Sequence, residues 1–328
     1  MAISTRPTYN YDLSTASGAH DFFVALDGHL TAVGLTQGTT GADYNVAGTS
    51  SQMPTVALST SPWLVYDFTD TANATHPITV WFRMVYGYTT SSDSSVLRYV
   101  LQYRVSEGQS SGTALGNDLQ CYDGIASPVD SGNSYSTSYT GALGDFVRYD
   151  GNSLTVIMGA GGVYSNYNSH RTSLCEMHIE RRYTVATGLV GAGFTGFVPP
   201  SAVNVSSPPQ YATGGYSFPG SANPNAKATP YVSSGAPNVF FASAETRPTT
   251  TPLLVAAGAA VVAPVFFMDP AHRPTPAMKM FTVPLASFTQ GSVTTMDFSG
   301  VSKPYLIYQP YSTNIKSGPL AFAIEWEV

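Results

Sequence analysis

Apolar side chains in this chain recur at every second position, over runs long enough to make strands. Ile78, Val80, Phe82, Met84 and Tyr86 fall on one side of a run that starts after Pro77. Thr79, Trp81, Arg83 and Val85 fall on the other. After a turn-rich stretch at 87–95, Leu97, Tyr99, Leu101, Tyr103 and Val105 alternate with Arg98, Gln102 and Arg104. The two runs predict neighbouring antiparallel strands with one buried face. Runs at 145–149 and 153–158 are joined by Asp150-Gly151-Asn152, and Asp-Gly is a strong hairpin signal. The strand-like run 174–183 carries Cys175, Met177, Ile179 and Arg181 on one side. Residues 279–283, 293–298 and 305–308 are strand-like as well. At the C-terminal end Leu320, Phe322, Ile324, Trp326 and Val328 face one way, and Ala321, Ala323, Glu325 and Glu327 the other.

One segment has the helical period. Between Gly18 and Gly34, the residues Phe22, Leu26, Leu30 and Val33 recur on one face, with Phe23 beside them. Ser17 is placed to cap its start, Asp21 to sit in the first turn, and Gly34 to end it. The expected fold class is therefore mainly β. It consists of one or two antiparallel, jelly-roll-like β-sandwiches with one short N-terminal α-helix and a long Pro-rich arm.

The arm is read from composition. Pro199-Pro200, Pro208-Pro209, Pro219, Pro224, Pro230, Pro237 and Pro248 punctuate a Ser/Gly/Ala/Asn background, and such a density of proline cannot build central strands. Three parts result: a helix-plus-sandwich domain at 1–196, the arm or linker at 197–252, and a C-terminal β region at 253–328. Residues 110–138, rich in Gly, Ser and Asp, predict a long loop. The apolar stretch 253–268 is short and broken by Pro264, so two buried strands explain it better than a membrane span. The first residues lack the charged and apolar regions of a signal peptide.

Charge excludes one class of function. Only 10% of the residues are charged, against about a quarter in an ordinary soluble domain. Lys227, Lys279, Lys303 and Lys316 form no cluster, so nothing marks a nucleic-acid footprint. Such a surface is wet by hydroxyls and aromatic edges, which suits a subunit covered by copies of itself or by partners.

Motifs that resemble catalytic signatures fail on context. Gly108-Gln109-Ser110-Ser111-Gly112 has the form of a nucleophile elbow, but a Gly/Asn/Asp loop follows where a helix is needed. Gly191-Ala192-Gly193-Phe194-Thr195-Gly196 has dinucleotide spacing, but Phe197-Val198-Pro199-Pro200 forbids the helix that would hold a pyrophosphate, so it reads as a glycine-rich bend. Glu176, His178 and Glu180 share one side of a strand; three ligands on a flat strand converge poorly, so they read as a polar outer face rather than a metal site. Cys121 and Cys175 give no disulfide framework, and Cys175 reads as a small buried hydrophobe. His20, His29, His76, His170 and His272 have no partner evident in sequence. Asp67 and Asp70 read as ordinary turn residues where a strand leaves its sheet. The tyrosine pairs Tyr86/Tyr88, Tyr99/Tyr103 and Tyr164/Tyr167 suit an interface better than a sugar platform.

The order of elements resembles a family of tailed-bacteriophage proteins, the virion structural or minor tail proteins. The resemblance lies in the helix with Phe23-Val24-Ala25-Leu26 and its Gly34-Leu35 end, and in Trp63-Leu64-Val65-Tyr66-Asp67-Phe68-Thr69-Asp70 before Ala74-Thr75-His76-Pro77. It continues through Ile78-Thr79-Val80-Trp81-Phe82-Arg83-Met84, Tyr149-Asp150-Gly151-Asn152-Ser153-Leu154, Met177-His178-Ile179-Glu180-Arg181 and Val301-Ser302-Lys303-Pro304-Tyr305-Leu306. It implies a component of the phage particle, made in the host cytoplasm, and the expected role is a structural subunit associated with the tail, baseplate or collar. Its partners would be copies of itself and other virion proteins, with no cofactor, no metal, no nucleic acid and no membrane insertion. It supplies no catalytic residue. Two alternatives stand beside it: a receptor- or carbohydrate-binding tail protein that meets a host surface glycan, and a capsid or head-decoration protein. The expected subunit contacts are Leu320, Phe322, Ile324 and Trp326 on the terminal strand, the arm, and Tyr164 and Tyr167. Deleting the strand or the arm is expected to abolish assembly and leave the first half folded.

Overall fold

The computed structural model describes residues 2–38, 43–56, 59–90, 93–107, 120–126, 138–163, 171–172, 174–183, 190–197, 240–241, 263–268, 274–284, 288–298, 300–308 and 320–327. In chain order these form β1 (Ala2–Arg6), β2 (Tyr9–Asp12), α1 (Ala16–Ala32), β3 (Thr36–Gln37), β4 (Leu64–Asp67), β5 (Ile78–Thr90) and β6 (Asp93–Glu107). There follow β7 (Gln120–Ala126), β8 (Ser138–Tyr149), β9 (Ser153–Val163), β10 (Arg171–Thr172), β11 (Cys175–Tyr183) and β12 (Val190–Phe197). The C-terminal part holds β13 (Phe240–Phe241), β14 (Ala263–Met268), β15 (Pro274–Pro284), β16 (Val293–Phe298), β17 (Val301–Tyr308) and β18 (Leu320–Glu325). The protein is mainly β; the described residues form three antiparallel sheets and one α-helix.

The helix follows its sequence pattern with one correction. It starts earlier than expected, and Thr15 caps it by accepting from the Gly18 N–H at 3.0 Å. The first turn holds no acidic residue, so neither Ser17 nor Asp21 has its expected place. Gly34 ends the helix as expected. Its φ of +94° is left-handed, and the N–H groups of Gly34 and Leu35 return to the carbonyls of Thr31 and Leu30. Phe22, Phe23, Leu26 and Leu30 are fully buried.

The seven-stranded sheet runs β1-β8-β9-β11-β12, with β2 also on β8 and β10 on β9. One of its faces, with Val147, Tyr149, Leu154, Val156, Met177 and Ile179, closes a single core with α1 and with Leu64, Tyr66, Val80, Phe82 and Met84 of the five-stranded sheet β3-β4-β5-β6-β7. Its other face, through Phe146 and Ile157, meets Met280, Leu306, Tyr308, Phe322, Ile324 and Trp326 of the six-stranded sheet β13-β14-β15-β18-β17-β16. The seven-stranded sheet is thus the middle layer, covered on both sides. This is why His178, Glu180 and Arg181 are buried instead of forming a polar outer face.

The hairpin at Asp150-Gly151-Asn152 joins β8 to β9 as expected, with Gly151 at φ +89°. The β5–β6 ladder also forms as expected, but Thr79, Trp81 and Val85 are buried too, so these strands do not have a single buried face. Residues 110–138 are not all loop, because β7 lies within them and pairs with β6. Gly191–Gly196 is strand β12 on β11, not a bend. The strands β1 and β2 had no clear sequence signal; they gain their place by lining the free edge of β8. Part of the apolar stretch 253–268 is β14; 253–262 lies outside the described residues. So do most of the arm, Gly108–Gly112, Tyr164, Tyr167, His170 and His272.

The terminal strand requires the clearest correction. β18 has β15 on one edge and β17 on the other, so neither edge is open to a neighbouring chain. Phe322, Ile324 and Trp326 are buried in the chain's own core, with Trp326 edge-on to Phe146 at 6.1 Å between centroids. The backbone of Leu320 pairs with Pro284, and its side chain lies outside the described residues. Deleting this strand would remove the middle of a sheet, so the deletion cannot isolate an assembly contact.

Gly144 is the point where the first strands cross β8. Its φ is +100°, and a Cβ there would lie 2.2 Å from the Arg6 carbonyl oxygen and 2.9 Å from the Pro7 Cα. Both atoms are backbone, so nothing flexible can yield. Gly144→Ala is expected to cost about 3 kcal/mol of stability, read as a lower urea midpoint at unchanged slope.

Candidate functional site

The two sheets on either side of Phe146 and Ile157 share a buried polar network, and the middle layer supplies its first row by strand alternation. Phe146 and Arg148 of β8 point to the same side. Arg148 is opposite Thr155 of β9, and Thr155 opposite His178 of β11. Ser153 is opposite Glu180 in the next row. All five polar residues are buried.

Each finds a partner. Arg148 donates to the Ser153 hydroxyl at 2.9 Å and to the Asp150 carboxylate at 2.9 Å. Its guanidinium also lies 3.6 Å from Glu325 of β18. Lys279 of β15 reaches Glu325 at 2.8 Å and Asp150 at 3.8 Å; Lys303 of β17 reaches Glu325 at 3.2 Å and Glu327 at 3.6 Å. Burial alone would push the Asp150 carboxyl up. Arg148, the N–H groups of Asn152 and Ser153, and Lys279 outweigh it and hold the carboxyl below its ordinary value of 3.8. The neighbouring Tyr305 hydroxyl is pushed up to about 12, first by burial and then by the charges of Glu325 and Glu327.

Glu180 joins the sheets through backbone. Its Oε2 accepts the Met278 N–H at 2.7 Å, and its Oε1 accepts the Lys279 N–H at 2.9 Å. These groups are available because β15 is irregular there. Its pairing with β14 breaks between Pro276 and Phe281, and its pairing with β18 starts at Met280. Two successive N–H groups aimed at one carboxylate make an anion-binding concavity in backbone. His178 lies 2.8 Å from Glu180 through Nε2 and 2.8 Å from Thr155 through Nδ1. An ionised carboxylate only accepts, so Nε2 carries the proton, and in the neutral ring Nδ1 accepts from the Thr155 hydroxyl.

Two further buried charges brace the other core. Asp145 accepts from the Tyr11 hydroxyl at 2.7 Å, the Gly159 N–H at 2.7 Å and the Arg6 guanidinium at 2.8 Å, while His29 bridges Ser4 at 2.7 Å and Asp145 at 3.5 Å. Arg181 donates to Asp70 at 2.7 Å and to the His76 carbonyl at 2.6 Å, with its guanidinium 5.4 Å from the Phe68 ring centroid. Asp70 is therefore an anchor for a buried guanidinium, beyond the turn residue its sequence context suggests. On the helix, His20 meets the Tyr44 hydroxyl at 2.6 Å, and that hydroxyl is pushed up to about 12 by burial and then by the charges of Asp21 and Tyr99.

The arrangement holds layers together: Asp70, Asp145, Asp150, Glu180 and Glu325 each pair with donors of their own chain. Among the described residues, no group of three His, Cys, Asp or Glu could hold a metal ion, and no helix is long and apolar enough to cross a membrane. Cys175 is buried within the first core. Tyr86 packs on Tyr99 at 4.8 Å, and the Tyr99 hydroxyl donates to the Pro54 carbonyl, so this pair serves the fold. The sequence reading drew attention to His178 and Glu180 but missed Arg148, Ser153, Lys279 and Glu325. Arg148, Lys279 and Glu325 carried a signal as charged residues alternating with apolar ones inside strands, although the Arg148–Glu325 and Lys279–Asp150 pairings join residues more than a hundred apart. No family model, curated protein or solved structure matches this chain.

Two outcomes test the network. Arg148→Met strands Asp150 and Glu325 beside one fewer cation and is expected to cost about 3 kcal/mol; adding Asp150→Asn to it recovers part of the loss, because both charges are then gone. A depressed carboxyl stabilises the fold above its ordinary value and loses that contribution as pH falls through the folded value. Stability should therefore fall with acid below 3.8, and Asp150→Asn should flatten that fall, read as urea midpoints along a pH series.

Proposed function

We propose that this chain is a structural subunit of a bacteriophage particle, placed at the tail, baseplate or collar. It acts by binding copies of itself and neighbouring virion proteins. The observation that carries this reading is where the charge sits. The chain has 14 basic and 20 acidic residues, and Asp70, Asp145, Arg148, Asp150, Glu180, Arg181 and Glu325 have side chains between 0% and 11% exposed. A charge-poor chain that buries this many of its charges leaves a surface with little electrostatic repulsion between copies. Such a surface suits a protein covered by its neighbours.

The exposed strands agree with this reading. β16 is the outermost strand of its sheet; its Val293 is 50% exposed, and Val301 at the start of the neighbouring β17 is 55% exposed. β16 carries no lysine and no proline, the residues that commonly guard an edge. The resemblance of its helix and strand patterns to phage virion structural proteins supports the same reading. The virion location follows from this proposal and stands or falls with it.

Light scattering of the purified chain over a range of concentrations tests the proposal. The expected result is a defined oligomer, several times the 34.7 kDa chain mass, that persists when salt rises to roughly 0.5 M because its contacts are not ion pairs. A monomer at every concentration, alone and with the other proteins of a purified particle, would overturn it.

A further inference from the structure

We propose that the outer edge of β16 is a strand-addition surface, on which a second copy of this chain pairs its own β16 antiparallel about Thr295. The inference rests on the reading of the chain as a self-assembling subunit and gives that assembly one defined contact. Pro304 fixes which backbone groups β16 turns outward. It has no N–H, and its carbonyl accepts the Trp326 N–H at 2.8 Å, on the β18 side of β17. Thr295 stands opposite Pro304 in the β16–β17 register, so this pair exchanges no hydrogen bond. The bonded positions are the alternate ones. Just before β16, Gly291 and Ser292 bond to Ile307 of β17, and Thr294–Tyr305 and Met296–Lys303 continue that parity. The N–H and C=O groups of Val293, Thr295 and Asp297 therefore point away from β17. Among the described residues β16 is the last strand on this side of its sheet, and the side chains of Val293, Thr295 and Asp297 are exposed. The ladder to β17 runs without a bulge, so nothing twists this edge away from a neighbour.

The pattern of the edge selects a second copy as the occupant. A two-fold axis at Thr295 sets Thr295 against the partner copy's same residue and Val293 against its Asp297. Each outward N–H and C=O then meets its counterpart in a bonded pair, the self-complementary arrangement of an isologous contact. Charge agrees with this register. Asp297 is the one charged residue of β16, and its carboxylate accepts the Gly300 N–H at 2.8 Å within its own turn. The axis at Thr295 places it opposite a valine. An axis at Asp297 would oppose two carboxylates, and like charges directly opposite destabilise a strand pair. An axis at Val293 would leave Thr295 and Asp297 beyond the end of the partner's strand. On the other face, Met296 packs beside Phe281 and Phe288 against the core of Val283, Tyr305 and Ile307. In the paired form it gains the partner copy's Thr294 as a neighbour, and the two six-stranded sheets become one. A single short strand pair buries less than a standard interface, so this contact alone falls apart on dilution.

Two variants of the full chain test the edge at a concentration where the wild type is assembled. In a bonded antiparallel pair the two Cα atoms are about 5.5 Å apart, within disulfide reach. Under mild oxidation, Thr295→Cys should give a covalent dimer on a non-reducing gel. Val301→Cys, equally exposed but far from the axis, should not. Thr295→Pro removes an outward N–H and no bond to β17, so it should fold, checked by circular dichroism, and light scattering should give about half the wild-type mass. No cross-link beyond that of Val301→Cys, or a wild-type mass for folded Thr295→Pro, would overturn the proposal. If Thr295→Pro does not fold, the cross-link decides alone. A wild-type oligomer without the cross-link sinks this edge and leaves self-assembly standing; a wild-type monomer at every concentration, without the cross-link, sinks both.

Discussion

The structure depends on the centre of one sheet, where residues 144–149, 153–159 and 177–181 are buried on both faces. β8, β9 and β11 are covered on one side by α1 and the five-stranded sheet, and on the other by the six-stranded sheet. A charged side chain on them must therefore meet a partner, since a buried charge without one costs several kcal/mol. Arg148, Glu180 and Arg181 are placed under that requirement and each has a partner from another stretch of chain, while His178 is held within its own sheet by Thr155 and Glu180. Asp150 and Glu325 answer Arg148, and the β15 backbone answers Glu180. Asp70 and the His76 carbonyl answer Arg181.

The same requirement sets how the layers meet. The contact around Phe146, Ile157, Phe322 and Ile324 is apolar, and apolar surfaces tolerate a slip better than charges do. The carboxylate of Glu180 fits only where two successive N–H groups of β15 are unclaimed by either neighbouring strand. The break in the β15 ladder is thus the feature that lets one side chain in the middle layer fix the position of the next sheet. Asp145 plays the corresponding part in the other core, where it ties β1 through Arg6 and β2 through Tyr11 to Gly159 of β9.

Charge used inside is not available outside. A chain this poor in ionic residues that also buries several of them has few charges left for its surface. This links the interior of the fold to the function proposed for it. Pairing between layers and lack of repulsion between copies both follow from the same few residues.

Local structure is legible in the order of residues. Period two marked β5, β6, β11 and β18, the spacing of Phe22, Leu26 and Leu30 marked α1, Gly34 marked its end, and Asp150-Gly151 marked the hairpin. Each of these rests on neighbours a few residues apart. Tertiary structure alone decided which strands are central and which faces are buried. The run at 320–328 reads as a terminal strand with subunit contacts, yet β15 and β17 enclose 320–325; His178 and Glu180 read as part of a polar outer face, yet a third layer covers them. β1 and β2 carry little signal of their own and become strands because the edge of β8 offers them hydrogen bonds. The physical reason is that alternation reports only that the two faces of a strand differ. Whether the polar face meets water or another sheet depends on residues as distant as Arg148 and Glu325, and a pattern read over a few positions cannot join them.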